Sequence, residues 1–195
     1  MQYLKDEVKN RIVSAALKEF GEKGFHEASM RQIAKNSGVA LGNLYRYFES
    51  KDQLFNEVLD PAYREITLVM GELKSCEAKK TAEYLESIVE KVMEVLKEYK
   101  LQLMILVDKS SGTKYAGTKE YFVLYVKKSI EEMLLPALEA NRVQIKDDFI
   151  FYVMASTFME GLFIILKQYD DENKIKNLIR QLIIIYFNDI DKRFI

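Results

Sequence analysis

The 195-residue chain has one cysteine, one histidine, two prolines and no tryptophan. With Cys76 as the single thiol, a disulfide within the chain is impossible, and a reducing, cytoplasmic setting is expected. With His26 as the lone imidazole, Cys/His zinc clusters are excluded, and a Ser-His-Asp triad would have to use that one residue. No HExxH, Walker loop or GxSxG spacing occurs. No catalytic residue, metal ligand or cofactor is therefore expected. Apolar runs fall short of the roughly 18 residues needed to cross a bilayer. The nearest approach, Phe149 to Leu166, is interrupted by Glu160. Met1 to Lys23 is charged throughout and lacks the apolar core of a secretory leader, so a soluble chain without a membrane partner is expected.

What is present is a globular composition, 49% hydrophobic with eight glycines. The 29 Lys/Arg and 30 Asp/Glu leave a net charge of −1. That average hides an asymmetry, because residues 1–51 hold nine Lys/Arg against six acids, a net +3, and the remainder is −4. A basic head on an acidic body hints at local contact with phosphate.

Helical spacing runs from end to end, and period-2 alternation is nowhere sustained. The fold class is all-α, with about nine helices. A first helix is predicted from about Lys5 to Lys23, with Val8, Ile12, Ala16 and Phe20 on one stripe. Gly24 suits the left-handed position just past its end, with Phe25 closing over Phe20 as in a Schellman cap. Ser29-Met30-Arg31-Gln32 reads as a capping box that opens a second helix, Met30 to Asn36, with Ile33 and Ala34 inward. Gly38 permits a tight turn into a short third helix, Leu41 to Phe48. Ser50-Lys51-Asp52-Gln53 is a second capping box, opening a fourth helix to about Ser75 that Pro61 should bend. Later helices are expected near Thr81–Tyr99, Leu101–Lys109, Lys119–Asn141 (kinked by Pro136), Asp147–Gln168 and Glu172–Asp191. The composition shift at about residue 52 divides a 1–51 head from a 52–195 body.

Two short helices joined by a glycine-containing turn fit a helix-turn-helix, and equally an ordinary three-helix packing motif. The residues outside the core separate the two. Asn43, Tyr45, Arg46, Tyr47 and Lys51 concentrate on a segment too polar for a core and too aromatic for an idle solvated face. Tyr hydroxyls and Lys suit phosphates, Asn pairs with adenine and Arg with guanine. Leu41 suits either a thymine methyl or a buried staple against the third helix.

On these residues the chain resembles a known family. Val8 to Leu59 is similar to the DNA-binding domain of the TetR family of transcriptional regulators. The resemblance rests on Ala15-Ala16, Phe20, Gly24-Phe25, Arg31-Gln32-Ile33-Ala34, Gly38-Val39, Gly42 to Phe48 and Ser50-Lys51. It implies that Leu41 to Phe48 enters the major groove, that Leu41, Gly42 and Asn43 face base edges, and that Tyr45, Tyr47 and Lys51 hold phosphates. Arg31 then sits where members touch a base or phosphate, and Arg46 lies on the same segment. The chain departs from the pattern at Ala40, which lacks the hydroxyl that would cap the third helix.

The resemblance further implies a ligand-responsive regulator, a repressor in the commonest case. It would bind a pseudo-palindromic double-stranded operator as a homodimer and be released by a small, largely apolar effector. The body's aromatic and Met residues, among them Met104, Phe122, Tyr125, Tyr152, Phe158, Met159 and Phe163, would then line a pocket, although without the family most read as core. Glu160 suits a cationic ligand, a pair with Lys127 or Lys167, or solvent. On the last helix Ile175, Leu178, Ile179, Leu182 and Ile185 form one stripe, while Ile183, Ile184 and Phe187 are apolar on other faces, a surplus suited to a four-helix dimer interface that would include Tyr186, or to a fully buried central helix. His26 is expected to cap the loop after the first helix, and Cys76 to be an inert thiol. The competing reading is a helical dimeric sensor whose head meets a non-DNA partner.

Overall fold

The computed structural model describes residues 2–75 and 82–188. Cys76, the expected helix start at Thr81 and the expected end at Asp191 lie outside the described residues. Eight helices and no strand occur among those described: α1 (Gln2–Glu27), α2 (Met30–Asn36), α3 (Leu41–Tyr47), α4 (Lys51–Ser75), α5 (Ala82–Asp108), α6 (Thr118–Ala140), α7 (Phe149–Gln168) and α8 (Glu172–Phe187). The fold class is the one expected. The two helices anticipated over 81–109 form the single element α5, and their junction survives as a kink at Tyr99 (φ −122°, ψ 16°). Pro61 and Pro136 are both accommodated within unbroken helices.

The chain divides into two compact units, Met1–Thr67 with Tyr99–Lys119, and Leu68–Glu98 with Glu120–Ile195. The units cut across the chain-order division at 51/52. The first two thirds of α4 and the last third or so of α5 belong with the head, and α5 changes unit at its kink.

In the first unit the α1 stripe is buried as its spacing requires, with Ile12, Ala16 and Phe20 wholly covered. Phe20 and Phe25 do not close on each other. Both set their edges against Phe55 of α4, at centroid distances of 4.8 and 5.0 Å. The expected Schellman cap at Gly24 is absent for a geometric reason. Gly24 has φ 72° but ψ 177°, an extended mirror conformation open in practice to glycine alone, and the helix resumes to Glu27. The freed carbonyls of Gly21 and Glu22 accept from the Lys109 ammonium, and the Lys109 carbonyl accepts from Phe25 N–H at 3.0 Å. The Schellman cap occurs instead at Gly38 (φ 67°), where Val39 N–H reaches Ala34 O at 3.0 Å and Gly38 N–H reaches Lys35 O at 3.2 Å.

In the second unit α7 lies along α8. The α7 stripe Phe151, Ala155, Phe158, Met159, Phe163 and Leu166 is buried, as are Ile175, Ile179 and Ile183 of α8. Gly161 faces Leu182 of α8, where a Cβ would make ordinary contact with the Leu182 methyls at 3.4–3.5 Å. Arg180 grips Glu86 of α5 with two parallel hydrogen bonds of 2.8 and 2.5 Å, and one turn away Lys176 pairs with Glu90 at 2.5 Å. By length and composition α7 would suffice to cross a bilayer, contrary to the sequence expectation. Glu160 is exposed midway along it.

Candidate DNA-reading head

The α2–α3 pair is held by few but complete contacts. Ser29 Oγ caps α2, accepting from Gln32 N–H at 3.4 Å. The return half of the expected box is missing, because the Gln32 amide donates to Asn36 at 2.8 Å instead. The Ser29 N–H is satisfied from α1 by the Glu19 carboxylate at 3.1 Å, and Glu19 is only 6% exposed. Sequence reasoning passed over Glu19, yet it carries a signal. It lies seven residues after Ile12, on the apolar stripe, and a carboxylate there needs a donor.

Leu44 anchors α3. It is wholly buried, and Phe48 behind it is 2% exposed. The other residues of α3 are exposed or half-buried. Gly42, Asn43, Tyr45 and Arg46 are exposed, while Leu41 and Tyr47 are half-buried. The side chains of Asn43, Tyr45, Arg46 and Tyr47 have no hydrogen-bonding or ionic partner among the described residues. Ala40 supplies no side-chain cap, as its missing hydroxyl requires. Arg31 is exposed at the start of α2, on the rim of a polar hollow of about 430 Å³ that Glu19, Glu22, Lys23, Ser29, Gln32 and Asn36 also line.

At the start of α4, Ser50 Oγ accepts from Gln53 N–H at 3.1 Å, and the Gln53 side-chain Oε1 accepts from Glu49 N–H at 2.6 Å. The predicted box is therefore present, with its return bond displaced by one residue. Lys51 is not extended into solvent. Its ammonium donates to the carbonyls of His26 (3.0 Å) and Ala28 (3.2 Å) and stands 4.8 Å above the Phe25 ring. The His26 ring packs on Gly112, where a Cβ would come within 2.7 Å of it.

A second polar cluster fastens the segment after α5. The Asp60 carboxylate accepts from Tyr115 at 2.5 Å and from Lys114 at 2.9 Å. Burial alone would raise the Asp60 pKa, but these two donors outweigh it and hold it below its ordinary value. Burial, together with the adjoining carboxylate, pushes the Tyr115 hydroxyl far above its own. No local pattern announces this pairing.

The expected pocket residues are distributed between the units. Met104 lies in the first, and the other six lie in the second. Phe122, Phe158, Met159 and Phe163 are buried core. Tyr152 donates to Glu120 at 3.1 Å, and Tyr125 donates to the Met70 carbonyl. The expected interface stripe needs correction. Ile175, Ile179 and Ile183 are at most 3% exposed within their own chain, so they serve its core and not a partner. Leu178, Leu182 and Tyr186 are half-buried, while Ile184 and Ile185 are 45% and 61% exposed.

Residues 12–58 match the family described as bacterial regulatory proteins, tetR family. The chain is 39% identical over 59 residues to the HTH-type transcriptional regulator UidR of Escherichia coli (strain K12), covering 30% of each. It is 33% identical over 103 residues to the HTH-type transcriptional regulator SAB2452 of Staphylococcus aureus (strain bovine RF122 / ET3-1), covering 52% of this chain and 51% of that one. The chain thus matches between about a third and a half of the length of these curated relatives. A solved structure, a TetR-like transcriptional regulator from Rhodococcus sp. RHA1, has the same fold, with a TM-score of 0.62 over 90% of this chain and 92% of that one at 17% identity. The match to bacterial regulatory proteins of the tetR family falls on the α1–α4 head, and over the remainder the chain is similar to such regulators in fold.

Proposed function

We propose that the chain is a cytoplasmic transcriptional regulator, not an enzyme, that reads double-stranded DNA through α3. One observation carries this reading. α3 is pinned by Leu44 alone while its polar and aromatic side chains face outward without partners in the described chain. An isolated surface helix satisfies such groups with water, whereas a groove reader reserves them for base edges and phosphates. In this reading Asn43 and Arg46 meet bases, Tyr45 and Tyr47 meet the backbone, and Arg31 meets a base or phosphate from α2. Gly42 lets the helix come close, since nothing lies within 4 Å of where its Cβ would stand.

One head carries one reading helix, so a pseudo-palindromic operator and a homodimer follow. The exposed Ile184 and Ile185, flanked by Leu178, Leu182 and Tyr186, are the surface proposed for the second copy. Repression relieved by a small, largely apolar effector completes the proposal. α4 and α5 are helices that run from one unit into the other and would transmit the effector's presence. Six apolar residues of α7 are buried in the second unit, while Phe149, Ile150, Val153 and Ile164 of the same helix are exposed.

The test is binding of the full chain to labelled duplex DNA across a range of salt concentrations. Association that weakens steeply with salt and is strengthened by a selected sequence supports the reading. Absent or salt-insensitive association contradicts it.

A further inference from the structure

We infer that Lys51 is a positioning residue that straps the α1–α2 connection to the start of α4, and that it is not a phosphate ligand. Its functional half rests on the DNA-reading proposal, and its structural half on the hydrogen bonds of the Lys51 ammonium.

Sequence and resemblance both put a cation at the first position of α4 and assign it to the DNA backbone. The geometry points elsewhere. An ammonium has three N–H donors, and Lys51 commits two of them, to His26 O at 3.0 Å and Ala28 O at 3.2 Å. The ammonium also lies over the face of Phe25, where a cation is attracted by the ring quadrupole. Half-buried overall, it is turned toward the protein by three contacts on one side.

The carbonyls it serves explain why the strap is needed. Gly24 breaks α1, so the final turn to Glu27 cannot pass its carbonyls to a following helical turn. Lys109 takes the carbonyls before the break, at Gly21 and Glu22, and Lys51 takes those after it, at His26 and Ala28. A cation at a helix C-terminus also complements the helix dipole. The consequence lies one residue further on. Ala28 precedes Ser29, the N-cap of α2, so the Lys51 bond fixes where α2 starts relative to α4. Arg31, two residues into α2, is aimed by the same bond.

The experiment uses the full chain and Lys51→Met, which keeps an apolar stem over Phe25 and removes the ammonium, with Lys51→Arg as the charge-preserving control. A fluorescein-labelled mixed-sequence duplex of 30 base pairs is titrated between 50 and 200 mM KCl, well below the unfolding temperature. Amide hydrogen exchange is followed over residues 24–30. The inference predicts faster exchange in that segment for Lys51→Met, together with a several-fold loss of affinity at an unchanged salt slope. A slope shallower by about 0.9 per head identifies a lost phosphate contact and overturns the inference. Unchanged affinity with only a lower melting temperature also overturns it, because Lys51 would then be merely stabilising. If the unaltered chain fails to bind the duplex, the DNA reading falls. The exchange result then decides the strap alone, with unchanged protection at 24–30 refuting it.

Discussion

The Glu19 carboxylate accepts the backbone N–H of Ser29 at 3.1 Å, joining the middle of α1 to the first residue of the α2 cap. This one bond replaces the half of the capping box that Gln32 leaves unmade. Glu19→Ala removes the acceptor of this part-buried bond and leaves the Ser29 N–H to water, and should lower stability by about 1 kcal/mol. Glu19→Gln keeps an acceptor and should cost less. Urea unfolding followed by circular dichroism compares the two, and equal losses would show that charge and not the acceptor is what matters.

Gly42 separates stability from function. Its Cβ site is empty to 4 Å and its φ is not left-handed, so Gly42→Ala should leave α3 as stable or more so, by up to about 1 kcal/mol. The same methyl stands where the groove floor would approach. Melting temperature should hold or rise while duplex affinity falls, and a fall in both would place Gly42 in the fold instead.

Gly24→Ala should behave oppositely. At φ 72°, ψ 177° any side chain is strained, at a cost of about 1–3 kcal/mol. Thermal unfolding measures it. An unchanged midpoint would mean that the α1 break relaxes freely.

The Asp60–Tyr115 pair gives a pH signature with two limbs. Asp60 is depressed below its ordinary value of 3.8, so its contribution is present above that pH and lost as pH falls through the still lower folded value. Tyr115 is raised above 10.0. Its contribution is full below the unfolded pKa and is lost as alkaline pH ionises the unfolded chain. Tyr115→Phe should flatten both limbs of a stability–pH curve, whereas Asp60→Asn should flatten the acid limb chiefly. Curves parallel to that of the unaltered chain would mean that the hydrogen bond is not made in solution.

On α8, neighbouring isoleucines should answer differently. Ile179 is 1% exposed and Ile184 45%. Ile179→Asp buries an unpaired charge and should unfold the second unit. Ile184→Asp should keep the helical spectrum and halve the sedimentation mass. A folded dimer carrying Ile184→Asp would move the proposed interface elsewhere.

The helices were legible because their spacing, caps and glycines are local. The bounds of α2 follow from Ser29 and from Gly38, and the buried stripe of α1 from its period. What could not be read was decided by residues distant in the chain. Gly24 and Gly38 are both glycines followed by an apolar residue, and only the carbonyl and ammonium of Lys109 distinguish the break from the Schellman cap. Lys51 reads as a phosphate ligand until the carbonyls of His26 and Ala28 are brought to it. The α8 stripe reads as an interface until α7 is laid against it. The outward residues of α3 were legible for a different reason. They are polar and aromatic where a core would be apolar, and that mismatch with packing is itself local.

The central claim is that the outward face of α3 reads base sequence. Selection of bound duplexes from a random pool, run with the full chain and with Asn43→Ala, tests it most directly. The account predicts enrichment of a pseudo-palindrome whose half-sites lie about one helical turn (~34–36 Å) or a multiple apart. It also predicts that Asn43→Ala alters the preference at one position in each half by about 1–3 kcal/mol. A pool that emerges unenriched, or a motif indifferent to Asn43 and to Arg46→Ala, would contradict it.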